Sequence, residues 1–264
     1  MLNDPTLPVE PATAVEAAET LAVRTLESLD AATDGAGRVD YVRLAASAEF
    51  ATAVGAARRL GAVRLATLTE RGPRLAFWIN VYNALVVHGI VRLGVGRSVA
   101  RAWTFFGRAC YRIDGLVFSV DDVEHGVLRG NRRRVVPPLR PFGARDPRRA
   151  QALDPLDPRI HFAINCGARS CPPVGVYRAA LIDTQLDLAA RNFVNQEVAL
   201  DGGRVVCSRL FKWYRRDFDD AGGLGAFLLR YLDDGPARRA LADGAGARLA
   251  FRAWDWSVRG AVLE

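Results

Sequence analysis

The run from Leu75 to Leu93 constrains this chain more than any other feature. It is apolar enough to pass for a membrane span, but Asn80, Asn83, His88 and Arg92 interrupt it. Such groups are costly in lipid, and the stretch is too apolar for a protein surface. The pattern therefore predicts a buried central helix over Arg74 to Leu93, ended by Gly94 and Gly96, and no membrane span. Trp78 and Tyr82 lie beside the two asparagines. Buried amides must be hydrogen-bonded, so Asn80 and Asn83 either tie down backbone or face a polar cavity and contact substrate.

Around this helix the chain reads as an α+β protein, helix-rich, with a small, mainly antiparallel sheet and no βαβ rhythm. Residues 1–11 read as a loose, flexible segment. Ala12 to Leu29 and Tyr41 to Leu60 have the spacing of amphipathic helices, which makes 12–65 a helical extension packed on a domain over 66–264. Asp114-Gly115 predicts a hairpin over Cys110 to Ser119. Ser119 and Asp122 form an approximate capping box for a helix from Val120 to Arg129. A strand is expected over Arg159 to Asn165, then a helix (Ala179 to Gln196), a hairpin around Asp201-Gly202-Gly203, two helices (Leu210 to Phe218, Leu224 to Leu232) and a last strand (Arg248 to Trp254).

The chemistry concentrates in Arg159 to Pro173, RIHFAINCGARSCPP, which holds His161, Cys166 and Cys171 within fifteen residues. Read as a strand, it puts Arg159, His161 and Asn165 on one face, a polar face that needs partners. Cys166 at its end is the leading candidate nucleophile. Gly167 permits a sharp turn and offers its N–H to an oxyanion together with Asn165. Cys171, ahead of Pro172, reads as an N-cap thiol and is the second candidate, or the partner that would close a disulfide with Cys166. Cys110 and Cys207, in hairpin strands, read as structural. A thiol nucleophile needs a base, and His88, His125 and His161 are the only histidines. All precede Cys166, which excludes the papain order. An extended strand would hold His161 roughly 15 Å from Cys166, so direct contact requires the loop to fold back. His125 is free to approach from its own helix, with Glu124 turned about 100° away from it as an orienter, a second base or a partner for Arg159.

The net charge of +7 suggests a nucleic-acid partner, but the cations are arginines with Lys212 as the single lysine, and no aromatic residue interleaves the basic run Arg129 to Arg140. That run reads as a solvated loop, which argues against nucleic acid. The aromatic groups Phe211, Trp213, Tyr214, Phe218, Trp254 and Trp256 read as core. The spacing of His161, Cys166 and Cys171 matches no common zinc arrangement, so no metal and no cofactor is expected. Met1 to Pro11 lacks the pattern of a secretory signal, which predicts reduced thiols in a cytoplasmic setting.

At these residues the chain resembles the domain of unknown function 547 (DUF 547) family. The matching words are Phe77-Trp78-Ile79-Asn80-Val81-Tyr82-Asn83-Ala84, Asp121 to Arg129, Pro158 to Pro173, Trp213-Tyr214 with Asp217-Phe218, and Asp255-Trp256-Ser257. Together they span about residues 70 to 258. The chain departs from the family pattern at Trp254, where tyrosine is usual, and in lacking a heptad segment and an export signal. The resemblance implies that Asn80, Asn83, Glu124, His125, Arg159, His161, Asn165, Cys166 and Cys171 form one constellation, on a core similar to that of cysteine proteases or transglutaminases. The function expected is a cysteine-dependent hydrolase or acyl/amide transferase acting on a peptide-like or small amide substrate. Two alternatives stand beside it, a non-catalytic interaction scaffold and a dithiol redox protein using Cys166 and Cys171.

Overall fold

The computed structural model describes residues 1–3, 12–100, 104–134, 137–243, 249–258 and 260–261. Helix α1 (Ala14–Ala32) starts at a complete capping box, in which Thr13 and Glu16 each bond the other's backbone N–H. The helix expected over Tyr41 to Leu60 is divided into α2 (Tyr41–Ala46) and α3 (Ala48–Arg58). Ser47 is extended between them, and its hydroxyl accepts the Phe50 N–H, so one residue ends one helix and caps the next.

These helices lie against α4 (Arg71–Leu93), in which every residue from Leu75 to Val91 is buried. It is long and apolar enough to cross a membrane, yet 94% of its apolar window is covered by protein. Gly94 ends it in the left-handed region at φ 61°. Asn80 and Asn83 serve this helix as backbone clamps. Asn80 donates to the Tyr177 carbonyl and accepts from the Tyr177 N–H. Asn83 does the same with Ala163 and Asn165. Both amides are thereby consumed in fastening residues 163–177 to the core, and neither lines the cavity that holds Cys166.

Beyond α4 come α5 (Phe105–Arg108), α6 (Ile182–Glu197), α7 (Leu210–Trp213), α8 (Gly223–Tyr231) and α9 (Pro236–Ala242). The short strands are β1 (Val39–Asp40), β2 (Cys110–Ile113), β3 (Leu116–Ser119), β4 (Ala199–Asp201), β5 (Arg204–Cys207), β6 (Leu249–Phe251) and β7 (Gly260–Ala261). The protein is helix-rich α+β, but its strands make three separate small sheets: β1-β7, β2-β3 and β4-β5-β6. The two hairpin pairings are antiparallel and the β1-β7 and β5-β6 pairings parallel, so the expected single, mainly antiparallel sheet is replaced. The last strand covers Leu249–Phe251 of the expected Arg248 to Trp254, with Arg248 outside the described residues.

The chain start is held where looseness was expected. Asn3 is fully buried, donates to the Ala57 and Arg112 carbonyls and accepts the Arg112 N–H. Residues 4–11 lie outside the described residues. One apolar cluster surrounds α4 and a second gathers Phe162, Phe193, Phe211, Phe218 and Phe227, with Trp254 packed against both.

Candidate functional site

The segment expected as a strand is a 3-10 helix, Pro158–Phe162. Its start signal is Asp157-Pro158: the Asp157 carboxylate accepts the Arg159 N–H, and Pro158 occupies the first turn, where its missing N–H costs nothing. A 3-10 helix advances about 2 Å per residue against about 3.3 Å for a strand. That compression draws His161 and Cys166 toward one cavity. It also turns Arg159 away. Its guanidinium pairs with Asp157, Asp183 and Asp187 at 2.7, 2.8 and 3.1 Å and does not line the cavity that holds Cys166.

After Ile164 the chain turns through Gly167 at φ 89°, where an added Cβ would meet the Ile90 side chain at 2.7 Å. The Asn165 amide braces this turn, donating to the Pro172 carbonyl at 2.6 Å and accepting the Gly167 N–H at 2.7 Å. Both groups expected to stabilise an oxyanion are thus spent on the loop. The turn folds Cys171 back onto Cys166, with 2.9 Å between the sulfurs, and the Cys166 N–H also points at the Cys171 sulfur. Cys171 caps no helix; Pro172 and Pro173 continue as irregular chain. The hydrogen bond to Cys171 and burial push the Cys166 thiol well above its ordinary value, so Cys166 rests protonated.

The opposite wall is the segment expected as an ordinary helix. Its capping box exists, with Ser119 and Asp122 bonded reciprocally. Past it, however, Asp122–Leu128 is π-helical, with the Arg129 N–H reaching the Glu124 carbonyl. Such segments are rare and gather at functional sites. Gly126 allows the Phe142 ring to lie directly on its backbone, where a Cβ would collide. Glu124 and His125 both line the cavity, neither on the surface, with 3.6 Å between Glu124 Oε1 and His125 Nδ1. Glu124 accepts a hydrogen bond from the Tyr82 hydroxyl at 2.9 Å and from the Tyr214 hydroxyl at 2.6 Å. Burial pushes its carboxyl up, but His125, the Tyr214 hydroxyl and Arg129 outweigh that and hold it below the ordinary range.

Arg129 is the hub that the sequence presents as a loop cation. It is buried, donates twice to Asp217 at 2.6 and 3.0 Å, and gives a third N–H to His125 Nδ1 at 2.9 Å. Arg132 and Arg134 pair with Asp217, Asp220 and Asp121. The start of the basic run is therefore internal structure, while Val135 and Val136 lie outside the described residues. Asp217 also accepts His161 Nε2–H at 2.9 Å. Burial works against its ionisation, yet the His161 and Arg129 hydrogen bonds hold its carboxyl far below the usual range. The two imidazoles are thereby set in opposite tautomers. His161 carries its proton on Nε2 and leaves Nδ1 as acceptor. His125 accepts at Nδ1 and keeps its proton on Nε2, toward Asp121 at 4.0 Å. Burial lowers His125 to about 4, against the pull of Glu124, so it is neutral at pH 7.

These groups close around a cavity of about 340 Å³, lined by Glu124, His125, His161, Cys166 and Cys171 with an aromatic wall of Trp213, Tyr214, Trp254 and Trp256. Of the six aromatic residues expected as core, Phe211 and Phe218 are fully buried in it, whereas Trp213, Tyr214, Trp254 and Trp256 line the cavity. The residues missed from sequence are Asp121, Arg129, Tyr82, Tyr214 and Asp217. The available signal was an Asp-Phe pair in an arginine-rich segment, since an acid flanked by aromatics is readily buried against a cation. Among the described residues no group of three His, Cys, Asp or Glu side chains is arranged to hold a metal ion.

Residues 65–194 match the model of the family described as "Protein of unknown function, DUF547", and this part of the chain belongs to that family. The match holds α4, the π-helical segment and the two cysteines; Trp213, Tyr214, Asp217, Trp254 and Trp256 come from outside it. Neither the curated proteins nor the solved structures contain a match to this chain.

Proposed function

We propose that this protein is a cysteine-dependent hydrolase or acyl transferase acting on a peptide-like or small amide substrate, with Cys166 as nucleophile. The observation that carries the reading is that Cys166 and His161, five residues apart in the chain, line one cavity, with His161 bonded to Asp217 from 56 residues further on. Cys166 rests as a thiol, so attack requires an acceptor for its proton. His161 Nδ1 is that acceptor, and Asp217 both fixes the tautomer and balances the imidazolium formed. The sulfur adds to the substrate carbonyl, the C–N bond breaks, and the amine leaves with the proton from His161. Water or a second amine then cleaves the thioester, giving its proton back through His161. His125 Nε2–H is the donor for the oxyanion. Glu124, with both oxygens occupied by tyrosine hydroxyls, is no base. A Cys-His-Asp set of this kind supports the similarity to cysteine-protease or transglutaminase-like cores, and unpaired cysteines suit a reducing, cytoplasmic setting.

Acylation by p-nitrophenyl acetate tests this. We expect a burst of one p-nitrophenolate per chain and an acetyl group on Cys166 by mass spectrometry, absent in Cys166→Ala and about 10²–10⁴ slower in His161→Gln. A burst that survives Cys166→Ala, or no burst at all, discards the reading. The 2.9 Å between the two sulfurs favours a second reading, a dithiol that closes to a disulfide. Loss of two titratable thiols on mild oxidation, restored by dithiothreitol, would support it.

A further inference from the structure

The chain has 36 Lys and Arg against 29 Asp and Glu, yet among the described residues the cavity is lined by the carboxylates Asp121 and Glu124 and by no lysine or arginine. Asp121 has a cation at hand, Arg134 at 3.5 Å. Glu124 has no lysine or arginine in contact among the described residues. Its hydrogen-bond donors are two neutral hydroxyls, and the imidazole 3.6 Å away already accepts an Arg129 N–H at the nitrogen that faces it. Arg129 directs its other donors to Asp217 and to the Arg133 carbonyl. The tyrosine hydroxyls and the charges behind them keep Glu124 ionised, so the cavity presents a fixed negative charge on its wall, and a ligand cation is drawn to it.

The aromatic lining of the same cavity suits such a ligand. Trp213, Trp254 and Trp256 stand in mutual contact, with ring centroids 5.4 to 6.1 Å apart, and line the cavity together. Indole faces attract cations and cover methylene chains. Around Glu124 the acceptors are compact: two carboxylate oxygens and the hydroxyl oxygens of Tyr82 and Tyr214. That arrangement fits the three donors of an ammonium better than the flat fork of a guanidinium. We propose that the cavity binds an alkylammonium group, its charge at Glu124 and its methylenes against the tryptophans, so that the substrate or acyl acceptor presents a primary amine. The inference goes beyond the acyl-transfer reading and does not require Cys166 to react.

Binding of n-pentylammonium, 1-pentanol and pentanoate to the full chain, followed by tryptophan fluorescence and calorimetry, tests it. Pentylammonium should bind at least about tenfold more tightly than the isosteric alcohol, and pentanoate more weakly still. Glu124→Gln should bring the amine to the level of the alcohol, whereas Cys166→Ser should leave the preference intact. That last arm separates failure here from failure of the nucleophile. Acetyl-lysine methylamide beside cadaverine distinguishes a lysyl side chain from a free polyamine as the source of the ammonium. If the alcohol or pentanoate binds wild-type protein as tightly as the amine, the inference is overturned whether or not the Glu124 variant folds.

Discussion

Arg129 and Arg159 each stand among aspartates, in opposite surroundings. Arg129 is sealed in the interior, holding Asp217 with two hydrogen bonds and His125 with a third. Arg159 lies at the rim of the 3-10 turn, and two of its three carboxylate partners, Asp183 and Asp187, face solvent. Sequence reasoning selects Arg159 for the site because it neighbours His161 and the cysteines, and leaves Arg129 in a solvated loop. The structure exchanges these positions. An ion pair matters according to what removal of one partner leaves unsatisfied, and only the Arg129 cluster is dry enough for that to be severe.

Replacing Arg129 with Met should produce the largest effect, a loss of about 3–5 kcal/mol in urea unfolding, because Asp217 is then a buried charge without its main partner. A loss below about 1 kcal/mol would mean that the cluster relaxes, and the contrast would fail. Next is pH. Burial depresses both His125 and His88 to about 4 from 6.5. The unfolded chain therefore binds protons that the folded chain refuses, and stability falls as pH drops from 6.5 toward 4. Each histidine contributes about 3 kcal/mol to that fall. Asp121, raised by burial to about 6 from 3.8, works the other way and offsets about one of them. Unfolding free energies that are flat between pH 7 and 4.5 would contradict these burials.

Two smaller substitutions sharpen the comparison at Arg159. Asp157→Ala removes the N-cap of the 3-10 turn and should cost about 1–2 kcal/mol. Arg159→Ala leaves that cap in place and should cost less than about 1 kcal/mol. If the order is reversed, the ion pairs and not the cap hold the turn. Neither change should alter alkylammonium binding, since both residues stand outside the cavity.

Several features were legible in the chain because they depend on near neighbours. The central helix follows from one run of apolar residues, the Cys110 to Ser119 hairpin from Asp114-Gly115, and the capping box from Ser119 and Asp122. The Cys166–Cys171 pair was legible as well, since a glycine turn can close so short a loop. The Arg159 segment was misread because β-like apolar spacing outweighed the Asp-Pro start signal. The π-helical winding that sets Glu124 and His125 on one cavity left no local trace.

Residue sequence thus determined the core helix, the turns and which short segments carry reactive side chains, all of them matters of local spacing and backbone preference. Tertiary structure alone decided that Asp217 would hold His161, that Arg129 would join Asp217 to His125, and that three tryptophans would line the same cavity as Glu124. The contacts to Asp217 bridge 56 and 88 residues of chain, and their strength comes from exclusion of water, which no local pattern of residues encodes.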